Sequence, residues 1–414
     1  MGKSGTTRIR AGRLIDGTGA EPQENVTITV ENGVITQVDA GNASSNEGET
    51  LDLSSYTVMP GLINMHAHTV LPGDGSSFEA WMENPDEILL LTAFANARTA
   101  LYSGVTTIRD CGGKGTLMFR LRDAIRAGIV EGPRFVLSGW PLTMTGGHCR
   151  YFGGETDGVE GMRLGAREVL KQGADFVKIM ASGGGTVGTY SQFPSFEVEE
   201  LRAAIDEAHK QRKPASCHTI ATESITRALD AGTDHIEHCS FMAPDTSWKY
   251  EDDIARRVAQ QGVYVTPTLQ VGFDGIDALR EMSERGASLT PAEVARLEAA
   301  PQSHANSIAN IRNLNDLGVK LVAGNDAGWR HTGFDDFYLE LVYLTEVGMT
   351  PIQAINAATG RAAEACQLEK TVGTVAPGKV ADLLVVAGDP STDLTTLRSP
   401  AMIIQAGKTI VDWR

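Results

Sequence analysis

The sequence predicts an α/β fold, namely a (β/α)8 TIM barrel with a small β-sandwich domain formed from both termini. Three observations carry this prediction. Eight short apolar runs alternate with helix-length amphipathic stretches in the centre of the chain, both ends are rich in strand-like segments, and metal-capable side chains stand at the ends of several central runs. We expect residues 1–58 and 366–414 to form the β-sandwich domain and residues 59–365 to form the barrel.

The strand-like segments at the two ends of the chain are short and are separated by turn residues such as Gly33, Gly388 and Gly407. A polar stretch at residues 41–48 predicts an exposed loop. The predicted strands are residues 7–14, 26–30 and 34–39 at the amino end and residues 383–386, 402–406 and 409–411 at the carboxyl end.

The central runs predict the eight parallel strands of the barrel, at residues 58–66, 105–109, 135–138, 176–180, 215–218, 235–238, 263–267 and 320–323. Helix starts are marked by Thr290 and Thr350, each followed by proline and, three residues on, by Glu293 or Gln353, as in a capping box. A doubly wound sheet is the alternative, but no GxGxxG motif follows any of the runs.

Composition limits the classes of function. Apolar residues make up 42% and charged residues 21% of the 414 residues, as in ordinary globular proteins. The formal net charge of -16 argues against a nucleic-acid partner, because such binding needs basic surface. We expect a small-molecule substrate, no association with a membrane and a homo-oligomer.

Cysteine usage and the amino end indicate a cytoplasmic protein. The five cysteines are odd in number, widely spaced and never arranged as CxxC, which is not the pattern of a disulfide framework. Residues 1–10 have no apolar core of a secretory signal. No run of about 18 apolar residues predicts a transmembrane helix.

The segment His66-Ala67-His68 is the first candidate for a metal site. Residues two apart on a strand face the same side, so both imidazoles would point into the mouth of the barrel. His218, His238 and Asp326 stand at the ends of three other predicted strands. Four of the nine histidines at such points favour a metal centre over unrelated core histidines.

Lys178 lies in a predicted strand that is otherwise apolar on both faces. A buried, unpaired ammonium is costly, so such a lysine usually loses its proton or finds an anionic partner. A neutral amine can take up CO2 to form an anionic, bidentate carbamate that could bridge two metal ions. The alternative is a lysine paired with a carboxylate in the core.

Two longer motifs stand near the two ends of the chain: Met-Pro-Gly-Leu-Ile-Asn-Met-His-Ala-His at residues 59–68 and Gly-Thr-Val-Ala-Pro-Gly-Lys-Val-Ala-Asp at residues 373–382. In both motifs the chain resembles the amidohydrolase superfamily, in the branch of imidazolonepropionase-like hydrolases and prolidase-like dipeptidases. The resemblance spans nearly the whole chain. It implies the same barrel and sandwich, and an enzyme that hydrolyses carbon–nitrogen bonds with two divalent metal ions, zinc being the preferred ion.

The resemblance also implies a role for each candidate ligand. His66 and His68 would bind the more buried metal with Asp326 and carboxylated Lys178, and His218 and His238 would bind the more exposed metal. A hydroxide that bridges the metals would be the nucleophile, since zinc lowers the pKa of bound water to around 7. Asp326 would take its proton and pass it to the leaving amine.

The substrate pocket is less clearly marked. His148 follows the third strand, where similar enzymes use a histidine to contact the carbonyl or a substrate carboxylate, so we expect a catalytic or binding role. Tyr190, Arg330 and His331 are candidates for substrate binding. Ile220 departs from the resemblance, because prolidase-like members often have a tyrosine there that holds the carboxyl end of the substrate.

Dipeptides or N-acyl amino acids lead the expected substrates. Carbamates, ureas and aryl amides, including xenobiotics, are the alternative, because the same nucleophile attacks any of these carbonyls. A mononuclear deaminase or cyclic-amidine hydrolase is a further alternative that Lys178 disfavours. A non-catalytic structural relative would be expected to lose ligands, and all six are present.

Overall fold

The computed structural model describes residues 5–41 and 49–414, so most of the loop predicted at residues 41–48 lies outside the described residues. The strands are β1 (Thr6–Leu14), β2 (Gln23–Glu31), β3 (Val34–Ala40), β4 (Glu49–Pro60), β5 (Leu62–Ala67), β6 (Val105–Asp110), β7 (Arg134–Leu137), β8 (Val177–Met180), β9 (Ala215–Ala221), β10 (His235–Met242), β11 (Tyr264–Thr266), β12 (Lys320–Leu321), β13 (Leu383–Val386), β14 (Pro400–Gln405) and β15 (Lys408–Asp412).

The helices lie mainly between the strands of the barrel. They are α1 (Phe78–Trp81), α2 (Asp86–Tyr102), α3 (Leu117–Arg126), α4 (Gly158–Lys171), α5 (Val198–Lys210), α6 (Thr222–Ala231), α7 (Asp252–Gln261), α8 (Leu269–Glu284), α9 (Pro291–Asp316), α10 (Tyr338–Glu346), α11 (Pro351–Ala357) and α12 (Gly360–Ala365). In the described ranges, no helix is both long and apolar enough to cross a membrane.

Both ends of the chain contribute to one seven-stranded mixed sheet, in the order β15-β14-β13-β4-β1-β2-β3. Strand β4 pairs in parallel with β1 and antiparallel with β13, so it joins the amino-terminal strands to the carboxyl-terminal ones. Alternate residues of these strands build a separate apolar core that includes Ile9, Ile28 and Val385. This sheet fits the β-sandwich domain predicted from both termini.

The barrel consists of the eight parallel strands β5 to β12, in a three-stranded group (β5-β6-β7) and a five-stranded group (β8 to β12). Backbone hydrogen bonds join the two groups: Leu142 N donates to Lys178 O at 2.8 Å, and Met65 N donates to Ala323 O at 2.9 Å. The predicted (β/α)8 fold is therefore confirmed, and all eight central runs contain a strand.

The first predicted barrel strand, residues 58–66, is in fact two strands. Strand β4 ends at Pro60 and belongs to the terminal sheet, whereas β5 begins at Leu62 in the barrel. Gly61 lies between them, and its backbone N–H donates to Asp382 O at 2.9 Å. A Cβ at Gly61 would overlap the Thr106 side chain, so glycine lets the chain pass from one sheet to the other.

Two long helices, α8 and α9, are inserted between β11 and β12. Residues of both helices lie against the carboxyl-terminal end of the barrel, among them Phe273 on α8 and Ile311 on α9. Helix α9 begins with the predicted capping box, in which Thr290 and Glu293 accept each other's backbone N–H, and Thr350 and Gln353 do the same for α11. The pair of helices therefore forms one wall of the space above the strands.

Candidate functional site

A cavity of about 270 Å³ lies at the carboxyl ends of the barrel strands. Loops and strand ends meet there because all strands of such a barrel point the same way. The lining contains every side chain that the sequence predicts as a metal ligand, and also His148 and Arg330. The predicted ligands are His66, His68, Lys178, His218, His238 and Asp326.

His66 and His68 present the same ring nitrogen to Asp326. The Nδ1 atom of His66 lies 2.9 Å from Glu237 Oε2, and that of His68 lies 2.9 Å from Gly112 O. An ionised carboxylate and a carbonyl only accept hydrogen bonds, so Nδ1 is the donor in both rings and Nε2 carries the lone pair. These Nε2 atoms lie 3.4 and 3.5 Å from Asp326 Oδ1.

Burial keeps the imidazoles of this cavity neutral. It lowers the pKa of His68 to about 4. It also lowers the pKa values of His66, His148, His218 and His238 well below the ordinary histidine value. Neutral imidazole is the form of histidine that binds metal ions.

Lys178 and Asp326 hold the two buried polar atoms of the cavity that lack a hydrogen-bond partner among the described residues, Nζ and Oδ1. Lys178 is only 1% exposed. Burial raises the pKa of Asp326 to about 7. Leaving charged groups buried and unpaired is costly, so these atoms indicate a site built for a further group.

His218 and His238 extend the cluster away from Asp326. Their ring centroids lie 4.6 Å apart, and the His238 ring lies 5.2 Å from that of His66. His218 Nε2 donates to Gly183 O at 3.1 Å, which leaves its Nδ1 with a lone pair. His238 Nδ1 lies 2.6 Å from Thr268 Oγ1. Each ring is thus held by a neighbouring loop.

The backbone is strained at several of these positions. His238, Thr268 and Asp326 adopt the left-handed region, with φ values of 71°, 49° and 61°. Residues other than glycine rarely take this conformation, and each such residue costs on the order of 1–3 kcal/mol. His238 lies within β10, Thr268 follows β11 and Asp326 follows β12, and all three residues line the cavity.

The residues present fit divalent metal ions. The ligand atoms of His66, His68 and Asp326 all lie within 4.8 Å of one another. Lone pairs on two imidazoles and a carboxylate oxygen face each other without a proton donor between them, an arrangement that a cation stabilises. The unpartnered Nζ of Lys178 is the atom that would bond to the carbon of CO2 on carboxylation, and the two carbamate oxygens would then be the metal ligands.

Glu237 is an important residue that the sequence analysis did not single out. Its fully buried carboxylate accepts hydrogen bonds from Arg109 at 2.7 Å, from Ser216 Oγ at 2.5 Å and from His66 Nδ1 at 2.9 Å. Arg109 also lies over the ring of Phe176, at 3.9 Å. These contacts fix the orientation of the His66 ring through Nδ1, the nitrogen that does not face Asp326. Carboxylates commonly hold metal-binding histidines in this way. The available signal was an acidic residue beside a predicted ligand on a barrel strand.

His148 lies in the loop after β7 and is buried beside His218, with the ring centroids 4.6 Å apart. Its Nδ1 lies 2.8 Å from Thr186 Oγ1 in the loop after β8. In the same loop, a Cβ at Gly184 would overlap the His148 ring. Glycine at this position therefore permits the close approach of this loop to His148.

The three other predicted substrate residues lie in different places. Arg330 lines the cavity and is partly buried, and it forms no ion pair among residues 5–41 and 49–414. Tyr190 is 67% exposed, and His331 packs against Gly75. The structure does not bring the side chains of Tyr190 and His331 to the cavity wall.

Comparisons with known proteins point to one family. A family model described as "Amidohydrolase family" matches residues 57–410. Ochratoxinase from Aspergillus niger is 26% identical, over 97% of this chain and 85% of its own length. A crystal structure of a Xaa-Pro dipeptidase with bound methionine is 30% identical with a TM-score of 0.85, covering 98% of this chain and 99% of that one. A prolidase complexed with N-methylphosphonate-L-proline is 26% identical with a TM-score of 0.85, covering 98% and 100%.

Proposed function

The chain belongs to the amidohydrolase family of hydrolases, and from this premise we propose that it hydrolyses an amide-type C–N bond at a centre of two divalent metal ions. Enzymes of this family generally use divalent metals. One observation carries the binuclear proposal: Lys178 Nζ and Asp326 Oδ1 are buried without partners beside four neutral imidazoles. Zinc is the preferred ion, because its usual ligands are imidazole nitrogen and carboxylate oxygen.

We assign His66, His68 and Asp326 to the more buried metal and His218 and His238 to the more exposed one. Lys178 contributes to both after carboxylation, in which the neutral amine adds to CO2 and loses a proton. When bound, the metals supply an activated water molecule and a Lewis acid for the substrate carbonyl.

Asp326 moves the proton in the proposed reaction. Its Oδ1 faces the Nε2 atoms of His66 and His68 and would bind the more buried metal. The other carboxylate oxygen would accept a proton from the attacking water and deliver it to the leaving amine, which cannot depart as an anion.

His148 and Arg330 position the substrate. The His148 ring lies beside His218 and can donate a hydrogen bond to the carbonyl oxygen as negative charge develops on it. Arg330 is a guanidinium without a carboxylate partner in the part of the chain that the structure describes, and it can pair with the terminal carboxylate of a substrate. Dipeptides and N-acyl amino acids with an apolar side chain therefore lead the substrate list, with Ile220, Met242 and Trp329 as apolar lining.

A second candidate substrate class is favoured by Ile220. This residue lines the cavity where prolidase-like relatives often have a tyrosine for the substrate carboxylate. Hydrolysis of carbamates, ureas or aryl amides needs no such contact and uses the same chemistry.

The test is a substrate panel assayed with zinc-loaded and with metal-stripped protein. It contains Xaa-Pro and other dipeptides, N-acyl amino acids, carbamates and phenylureas. Metal-dependent turnover of the first two groups supports the proposal, and turnover of only the last two moves the function to the second class. If the zinc-loaded protein hydrolyses none of them, the proposed function is wrong.

A further inference from the structure

A second chamber adjoins the metal-site cavity. It has a volume of about 680 Å³ and lies between α8 and α9. Trp248, Gly272, Phe273, Ser307 and Arg330 line both spaces, so the two are contiguous. A substrate whose carbonyl reaches the metal site could extend a substituent into this chamber.

The chamber carries unbalanced positive charge. Arg280 is paired with Asp277, and His304 lies 3.1 Å from Glu346. Arg296 and Arg330 also line the chamber, but neither forms an ion pair with any residue that the structure describes. Two charged groups without counter-ions therefore face one partly enclosed space.

Two carboxylates interact electrostatically with these arginines, but each has another role. Glu293 interacts with Arg296 over a distance, but its Oε2 accepts hydrogen bonds from the backbone and hydroxyl of Thr290 at 2.7 and 2.8 Å. Asp326, which interacts with Arg330, belongs to the proposed metal centre. The guanidinium of Arg296 lies against the backbone of Gly275, where a Cβ would come within 2.6 Å of its Nη2.

The walls beside Arg296 are aromatic. Phe273 stacks on His304 with a centroid distance of 4.0 Å and meets Tyr343 edge-on at 4.6 Å. Trp248 completes this lining. Flat apolar walls combined with a guanidinium are suited to a planar ring that carries an anionic group.

We propose that this chamber is a second subsite, in which Arg296 binds the anionic group of an aromatic substituent on the substrate. The inference rests on the proposed function only in that the rest of the substrate reaches the metal centre. The enzyme would therefore prefer amides that carry an aromatic carboxylate over the same amides without the charge. Arg330, at the junction of the two spaces, stays available for the amino-acid carboxylate.

Binding to metal-stripped protein tests the subsite without turnover. Titration calorimetry would compare 2-naphthoate with neutral 2-naphthamide on the wild type, Arg296→Met and Arg296→Lys, with Arg285→Met as the matched control. Arg285 lies at the end of α8, is exposed and pairs with Glu281 outside the chamber. We expect Arg296→Met to weaken naphthoate binding by about tenfold or more, Arg296→Lys to restore part of it and Arg285→Met to change nothing.

A second measurement separates the subsite from the proposed function. The zinc-loaded variants would be assayed with N-(4-carboxybenzoyl)-L-phenylalanine and N-benzoyl-L-phenylalanine. We expect the kcat/KM ratio of the charged to the neutral substrate to fall by about tenfold in Arg296→Met and to stay unchanged in Arg285→Met. Specific naphthoate binding without hydrolysis of any amide would keep the subsite and reject the proposed function. If the protein hydrolyses the amides but Arg296→Met changes neither naphthoate binding nor the kcat/KM ratio, the subsite is wrong and the proposed function stands.

Discussion

Replacing Glu237 by glutamine tests the buried network behind His66. The substitution keeps the shape of the side chain but removes its charge, and it leaves the 2% exposed Arg109 without its anionic partner. Removing one member of a buried ion pair costs about 3–5 kcal/mol, because the remaining charge stays away from water. Arg109→Met should cost a similar amount, since it leaves the carboxylate unbalanced.

These free energies correspond to a measurable change in melting temperature. At about 2.1 cal/mol/K per residue, a chain of 414 residues has an unfolding entropy of about 0.9 kcal/mol/K. Each single variant should therefore melt about 3–6 °C below the wild type. The double variant should melt above the level that the sum of the two losses predicts, because it buries no unbalanced charge from this pair.

Scanning calorimetry of metal-stripped protein is the assay, since metal binding would otherwise contribute to the stability. Glu281→Gln is the matched control, because it removes the same charge from an exposed pair on α8 and should change the melting temperature little. If Arg109→Met lowers the melting temperature equally in the wild-type and Gln-substituted backgrounds, the two side chains are not coupled and the reasoning fails.

Three further predictions concern the metal site and the ion pairs that Glu207 makes on α4 and α5. Lys178→Ala should lower the metal content, measured by mass spectrometry, and abolish hydrolysis while circular dichroism stays unchanged; full metal content with activity would remove Lys178 from the site. Asp326→Asn should retain metal but lower kcat by about a hundredfold or more, and normal turnover would exclude this carboxyl as the proton carrier. Hydrogen bonds from Arg167 and Lys210 lower the pKa of Glu207 from its ordinary value of 4.5 to about 2. The stability from these contacts is complete above the ordinary value and is lost as the pH falls toward 2, so the difference in melting temperature between the wild type and Glu207→Gln should shrink over that range; a constant difference would contradict the assignment.

The positions of the strands could be predicted because burial leaves a local pattern. Most barrel strands contain a short run of small or apolar residues, and a metal-capable side chain stands out against that run, as His218 does after Cys217. The candidate ligands follow from the geometry of the barrel, which brings all strand ends to one face.

What the sequence did not reveal depends on contacts between distant residues. Glu237 and Arg109 are 128 residues apart, and neither is unusual in its own segment. The break at Gly61 depends on the approach of Thr106 from a neighbouring strand. The exposure of Tyr190 depends on the fold of the loop after β8, in which Thr189 N donates to Thr186 O and the Tyr190 side chain remains exposed.

The chamber between α8 and α9 could not be predicted from the sequence either. The capping box predicts the start of α9, but no sequence pattern indicates which surface the side chains of this helix face. Arg296 resembles any charged residue on an exposed helix, whereas in the structure it lines a chamber with Phe273 and Tyr343 and pairs with no carboxylate of the described residues.

The central place of β4 in the terminal sheet affects how the chain can fold during synthesis. Residues 49–60 emerge from the ribosome long before residues 383–386, which are their partners on one edge. Until then Val58 and Met59 present an unpaired, apolar strand edge, the kind of surface that chaperones shield from aggregation. A barrel that folds during synthesis therefore does so while the first sheet is incomplete, and that sheet is completed only when residues 383–386 pair with β4.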